Sequence, residues 1–210
     1  MYALLFPALL FVIFIACVAF LYTEGMWGNA IRLINIVTAA LLATNFYEPL
    51  AEYLDQQSPS YTYFWDFLSL WGLFVVFMIV FRLLTDRASR VKVRFLKIAD
   101  QVGSLVLAVL IGWVMICFTA TTMHTAPLAR NFMFGGFQPE KRMFMGLAPD
   151  RQWLNFMRSR SRGGFCRFAT EAEWKQEKYV FDPYGQFRPK YAERRSKLEE
   201  LAKSGSFRKP

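Results

Sequence analysis

Apolar residues gather in four runs within the first 123 positions, each able to reach across a bilayer. The first, 3–22, is unbroken over about the ~20 residues that a spanning helix needs. It also invites reading as a secretory signal or, through Phe14-Ile15-Ala16-Cys17, as a lipoprotein cleavage box. Both expect a cationic start that Met1-Tyr2 lacks, so an uncleaved helix is expected. A turn with Gly25 and Gly28 leads to the second run, 27–47. Its strictly uncharged part, 33–46, is short, and a full span needs Arg32 to snorkel while Trp27 and Tyr47 sit at the interfaces. Its Asn35, Thr38, Thr44 and Asn45 suit hydrogen bonds between helices.

Residues 48–61, with Pro49, Pro59 and three acids, read as a polar loop. The third run, 62–82, opens on aromatics and carries Asp66 about one turn inside. An acid at that depth raises transport as a possibility. The preferred reading puts it among headgroups at a helix N-terminus, where the dipole favours negative charge. The linker 83–100 and its edge are basic (Arg82, Arg87, Arg90, Lys92, Arg94, Lys97) and interleaved with apolar residues. That suits a segment lying on anionic headgroups. Asp100 then stands at the entrance of the fourth run, 101–123, where it is expected to cap the helix. Ser104, Ala108 and Gly112 fall four apart on one face with Gly103 beside them, a small-residue stripe that lets helices approach closely.

Loop charge sets orientation. The second loop has no Lys or Arg and the third is rich in them, so the third faces the cytoplasm and both termini lie outside. The tail is basic too, but long segments translocate largely regardless of charge.

Of 25 basic and 16 acidic residues, seven of each precede position 125, leaving 18 and 9 for residues 125–210. The whole net charge of +9 therefore sits in that tail, outside a neutral membrane domain at 1–124. Nucleic acid is disfavoured as its partner, because acids dilute the cations and no zinc-finger or RNP-like motif appears. The tail reads as extramembrane, with three short helices between proline and glycine breaks. One begins at Pro149-Asp150, one at the capping box Thr170-Glu171-Ala172-Glu173, and one covers 190–203 with Tyr191, Leu198 and Leu201 on one side. Pieces this short need the bundle, lipid or a partner to hold them. The segment 158–164, Arg-Ser-Arg-Ser-Arg-Gly-Gly, reads as a flexible basic loop rather than a phosphate site.

The single histidine, His124, excludes any metal site or triad that needs two. Cys17, Cys117 and Cys166 have neither disulfide-framework nor metal-ligand spacing. No metal, cofactor or catalytic residue is expected.

The order of features in residues 1–123 resembles the colicin V production protein family of small bacterial inner-membrane proteins. The resemblance rests on the glycine turn, on Phe46-Tyr47-Glu48-Pro49-Leu50, and on Asp100, Ser104, Ala108 and Gly112. The sequence departs from the family pattern at Gln101 and Ile111, where arginines are usual, at Ser104 and Ala108, where glycines are usual, and at Arg32, near a common acid. The resemblance implies a four-helix membrane bundle tied to toxin production or export. Some relatives carry an external trypsin-like protease, which this histidine-free tail cannot be. The expectation is an all-α, non-enzymatic envelope scaffold or secretion accessory in the inner membrane. Its partner would be another membrane protein or a second copy, and a channel or transporter subunit is the alternative.

Overall fold

A computed structural model of the chain describes residues 4–89, 95–128, 137, 140–163, 165–166 and 177–203. Among these residues six α-helices follow in order: α1 Leu5–Leu21, α2 Met26–Gln57, α3 Thr62–Ala88, α4 Lys97–Thr125, α5 Pro149–Ser161 and α6 Phe187–Lys203. Among the described residues there is no strand. The first four are long and apolar enough to cross a membrane. Arg90, Lys92, Arg94 and the capping box at 170–173 lie outside the described residues; Arg82, Arg87 and Lys97 are exposed where α3 ends and α4 begins.

All four spans outrun their sequence bounds or match them closely, and α2 differs most. It does not stop at 47 but continues for ten more residues, with Pro49 inside it. Proline removes one helical hydrogen bond and usually ends a helix. Here the flanking Asn45, Tyr47 and Ala51 are buried while Pro49 is exposed, so packing on one face carries the helix past it. The expected polar loop shrinks to Ser58 and a short 3-10 turn, Pro59–Tyr61.

Helices α2, α3 and α4 form the centre, and α1 leans on α4 from outside. About half of α2's apolar window is buried against 11% of α1's and 17% of α3's, which leaves α1 and the outer face of α3 the apolar surfaces least covered by the protein. The core is apolar in mid-span, built from Ala39, Ala40, Ala43, Leu70, Phe74, Cys117 and Phe118. Trp71, Phe74, Phe118 and Trp153 join edge to face or tilted at centroid distances of 4.7–5.8 Å. Trp153 belongs to α5, and Phe187 and Tyr191 of α6 lie in the same cluster. The tail therefore shares the bundle's core. The basic segment after residue 157 is not a loop either: α5 runs through Ser161, and Arg158 is tied to Asp182 by Nη2–Oδ2 at 3.0 Å and Nε to the Asp182 carbonyl at 2.8 Å.

The small stripe of α4 is covered by the chain itself. A Cβ on Gly112 would stand 2.9 Å from a ring carbon of Phe14 in α1, and one on Gly103 would stand 2.2 Å from the Met26 sulfur. Ala108 is fully buried between these points. Ser104 donates to the Tyr22 carbonyl (2.9 Å) and accepts from Asn29 Nδ2 (3.0 Å). Its contacts hold α1 and the α1–α2 turn, so the stripe is not a free face for a partner. Gly112→Leu is expected to lower bundle stability in detergent by about 1–3 kcal/mol, the usual cost of overpacking. Thermal unfolding of the two proteins checks this, and Gly103→Ala should be milder because the Met26 side chain can swing away.

Candidate functional site

Two buried polar clusters lie at opposite ends of the bundle. The first joins the α1–α2 turn to the starts of α2 and α4. Asp100 was expected to cap its own helix, but it sits in the first turn of α4, whose N-cap residue is Leu96. Its Oδ1 instead accepts from the Met26 amide at 2.9 Å, capping α2 across the bundle. Gly25 just before it has φ +85°, a conformation that suits glycine, and a Cβ there would stand 3.4 Å from the Asp100 carboxylate. Asn29 Nδ2 also donates to the Leu21 carbonyl at 2.8 Å, Asn35 reaches Thr85 at 3.0 Å and Trp27 reaches Ser89 at 3.0 Å. Arg32 pairs with Glu24 at 2.9 Å, both half-exposed, which matches a snorkelled cation near an interface. These contacts place the α1–α2 turn and the α3–α4 linker at one end.

The second cluster lies where the tail closes the other end, and it is the candidate site. Asp66, about one turn into α3, is 8% exposed and is covered by the protein itself. An ionised acid that deep needs a counter-charge and donors. Arg194 of α6 supplies the charge through Nη1, and its Nη2 donates to the Thr62 carbonyl. The Tyr191 hydroxyl donates to Asp66 Oδ2 at 2.9 Å and lies 3.1 Å from the Tyr47 hydroxyl of α2. Arg194 also stacks its guanidinium 5.4 Å from the Tyr63 ring centroid. Lys190, one turn earlier, bonds Glu48 of α2 at 2.8 Å. Lys190, Tyr191 and Arg194 lie within one turn of α6, so a single face of that helix grips both α2 and α3. A cavity of about 160 Å³ lies beside the grip, walled by Glu48, Glu52, Asp55 and Asp66 against Lys190 and Arg194.

Burial pushes the Tyr191 phenol well above its ordinary range, and the Asp66 charge adds to the shift. The phenol therefore stays protonated and donating at neutral pH.

Behind this grip His124, near the end of α4, faces Asp150 in the first turn of α5. Nε2 and Oδ2 are 3.1 Å apart and both side chains are wholly buried. Thr121 donates to the Asp150 carbonyl at 3.3 Å, and Arg188 Nε stands 3.7 Å from Asp150 Oδ2. Burial and the nearby Arg151 charge lower the Arg188 pKa from its usual value. Trp153 donates to Thr44 Oγ1 at 3.1 Å, and Asn45 Nδ2 to the Phe165 carbonyl at 2.8 Å, fastening α5 and its following turn to α2. Among the described residues no group of three or more metal-ligating side chains comes together. The arrangement works as a clamp: charge pairs and aromatic packing hold α5 and α6 across the mouth of α2, α3 and α4.

Sequence reasoning singled out Asp66 and missed its partners. The available signal was that an acid inside an apolar run calls for a cation elsewhere, and Arg194 stands 128 residues away. His124 and Asp150 gave no pairing signal, being 26 residues apart with the intervening chain read as loop.

Arg194→Ala is expected to loosen α6 by roughly 1–3 kcal/mol, since it leaves a buried carboxylate short of a donor. Lys190→Ala, which breaks a half-exposed pair, should cost about 1 kcal/mol or less. Limited proteolysis of the tail in detergent ranks the two. A raised phenol pKa means that Tyr191 contributes its full stability below the ordinary tyrosine value of about 10 and loses it as pH climbs above that. Tail docking should therefore weaken in strong alkali, and Tyr191→Phe should blunt the loss, as followed by protease sensitivity against pH.

Comparison with known families matches residues 6–136 to the family described as Colicin V production protein. That stretch holds all four spans and stops short of α5. No curated protein and no solved structure matches the chain.

Proposed function

The chain belongs to the colicin V production protein family, and from that premise we propose that it is a non-enzymatic envelope scaffold or accessory in the production or secretion of colicin V-type toxin. The observation that carries this reading is the clamp of α5 and α6 over the bundle mouth, in which the one acid buried in α3 is committed to Arg194 and Tyr191. A proton- or ion-coupled transporter that used this carboxylate would need it free to exchange its ion. The mid-span core of alanines and aromatics also offers no polar path through a single copy. A rigid, sealed bundle with a folded cationic cap suits a part that holds other components in place.

In this reading the protein sits in the bacterial inner membrane. The exposed Arg82, Arg87 and Lys97 mark the cytoplasmic end, which the α1–α2 turn shares. Both termini and the cap then face outward, and the partner is another membrane protein or a second copy. In a host that secretes a colicin V-type toxin, deleting the gene should abolish or sharply reduce extracellular toxin while intracellular toxin persists. Unchanged secretion would overturn the proposal. A reporter enzyme fused after Pro210 should be active only in its periplasmic form; activity of a cytoplasmic reporter would reverse the orientation.

A further inference from the structure

Between the end of α4 and the start of α5 lies an apolar loop, Met-Phe-Met-Gly-Leu-Ala at 143–148, that the clamp does not use. Its first residue is an anchor. Met143 is buried with Phe6 and Leu10 of α1 and Ile116 and Ala120 of α4. Phe144 sets its ring 6.0 Å from that of Trp113. The next residues turn outward: Met145 is 87% exposed and Leu147 51%, with Phe156 of α5 39% exposed nearby in sequence. A soluble loop rarely shows side chains of this kind together without purpose.

Depth decides what surrounds them. Measured from Asp100 at 1.5 Å per residue, about 30 Å of hydrocarbon reaches to roughly Ala120 on α4. Trp113 then stands roughly 10 Å below that boundary. Gln152 of α5 bonds the Trp113 indole at 3.1 Å, and Phe144 packs on its ring, so this part of the tail lies beside the span rather than above it. The exposed apolar side chains Val102, Val106, Val109 and Leu110 lie on α4 toward the other end, and Trp113 extends that side of the helix to its contact with Phe144.

The backbone of the loop folds tightly on itself. Phe144, Met145 and Ala148 have φ between 49° and 55°, and Gly146 has φ 88°. This tight fold lets the Leu147 amide bond the Phe144 carbonyl (3.1 Å) and the Ala148 amide bond the Met143 carbonyl (3.0 Å). Gln152 Nε2 takes the Leu147 carbonyl at 2.9 Å. Backbone at membrane depth must have its polar groups satisfied, and these contacts do so for the carbonyls of Met143, Phe144 and Leu147 and the amides of Leu147 and Ala148. No charged residue occurs from 143 to 149, while exposed Lys141 and Arg142 come just before and Arg151 just after. On α5, Arg160 lies 5.7 Å from the centroid of the Phe156 ring, with its charge at the edge of the apolar surface.

We propose that the 143–148 loop, together with Phe156, is a lipid-inserted anchor: Met145 and Leu147 enter the acyl chains of the leaflet on the tail's side, and Lys141 and Arg142 bind anionic headgroups above them. The tail is then part of the membrane body, held by lipid as well as by the clamp. This anchor lies outside the family-matched residues and does not depend on any role in toxin production.

The test uses the full chain in lipid nanodiscs, with Cys17, Cys117 and Cys166 replaced by alanine and one new cysteine carrying a nitrobenzoxadiazole probe. Met145→Cys is compared with Val106→Cys on the lipid-facing side of α4 and with Gln57→Cys at the exposed end of α2. The Met145 probe should match Val106, with blue-shifted emission, quenching by nitroxide on lipid acyl chains, and iodide quenching several-fold weaker than at Gln57. Iodide access equal to that at Gln57 overturns the proposal, whether water or a missing protein partner is the cause. Leu147→Cys gives the same readout should Met145→Cys fail to accumulate. Adding phosphatidylglycerol to phosphatidylcholine discs should shield the Met145 probe further, and the double change Lys141→Gln, Arg142→Gln should remove that gain. An equal response in both proteins refutes the headgroup contact.

Discussion

A carboxylate buried near the end of an apolar span needs donors and a counter-charge, and Asp66 is such a carboxylate. The rest of the architecture answers that constraint. The charge comes from Arg194, and because α6 must bring it within reach, Tyr191 and Lys190 arrive on the same helical face and meet α2. Docking α6 in turn buries Phe187 and Tyr191 beside Phe181 and closes the mouth over α5. A polar requirement at one atom is thereby converted into apolar burial across five helices. The pair alone contributes little net stability after desolvation; its role is to fix where α6 lies, while the aromatic contacts supply most of the free energy.

The two ends of the bundle solve different problems. At the linker end, helix starts and turns leave unsatisfied backbone amides and carbonyls, and short side chains from neighbouring helices complete them. Asp100 caps α2, and Asn29 and Ser104 satisfy the carbonyls of Leu21 and Tyr22. At the tail end, long charged and aromatic side chains bridge between elements. Mid-span the core is built mainly from alanines, aliphatic side chains and aromatic rings, so the polar contacts act as two belts around an apolar waist.

Much of the membrane part was legible in the sequence because lipid imposes a simple rule: about twenty apolar residues make a span. The four runs, the stripe on α4 and the hydrogen-bonding character of Asn35, Thr44 and Asn45 could be read from local pattern. The extension of α2 through Pro49 could not, since propensity argues for a break and only packing of Tyr47 and Ala51 overrides it. The role of Asp100 was half visible: an acid at a helix start suggests a cap, but sequence cannot say whose amide it meets. Asp66 with Arg194, and His124 with Asp150, were beyond local reading because each pairing is made by the fold of the tail. The small stripe carried the opposite lesson. Its chemistry was right for close packing, yet its partner is α1 of the same chain.

The separation of 128 residues between Asp66 and Arg194 also orders events during biosynthesis. Every span has left the ribosome before the guanidinium that balances the acid of the third is made. Until then the nascent bundle keeps an open, charged mouth at the bilayer edge, and a chain cut short of α6 never closes it. Sealing is thus a report that translation ran as far as α6, built into the protein as electrostatics rather than as a separate signal.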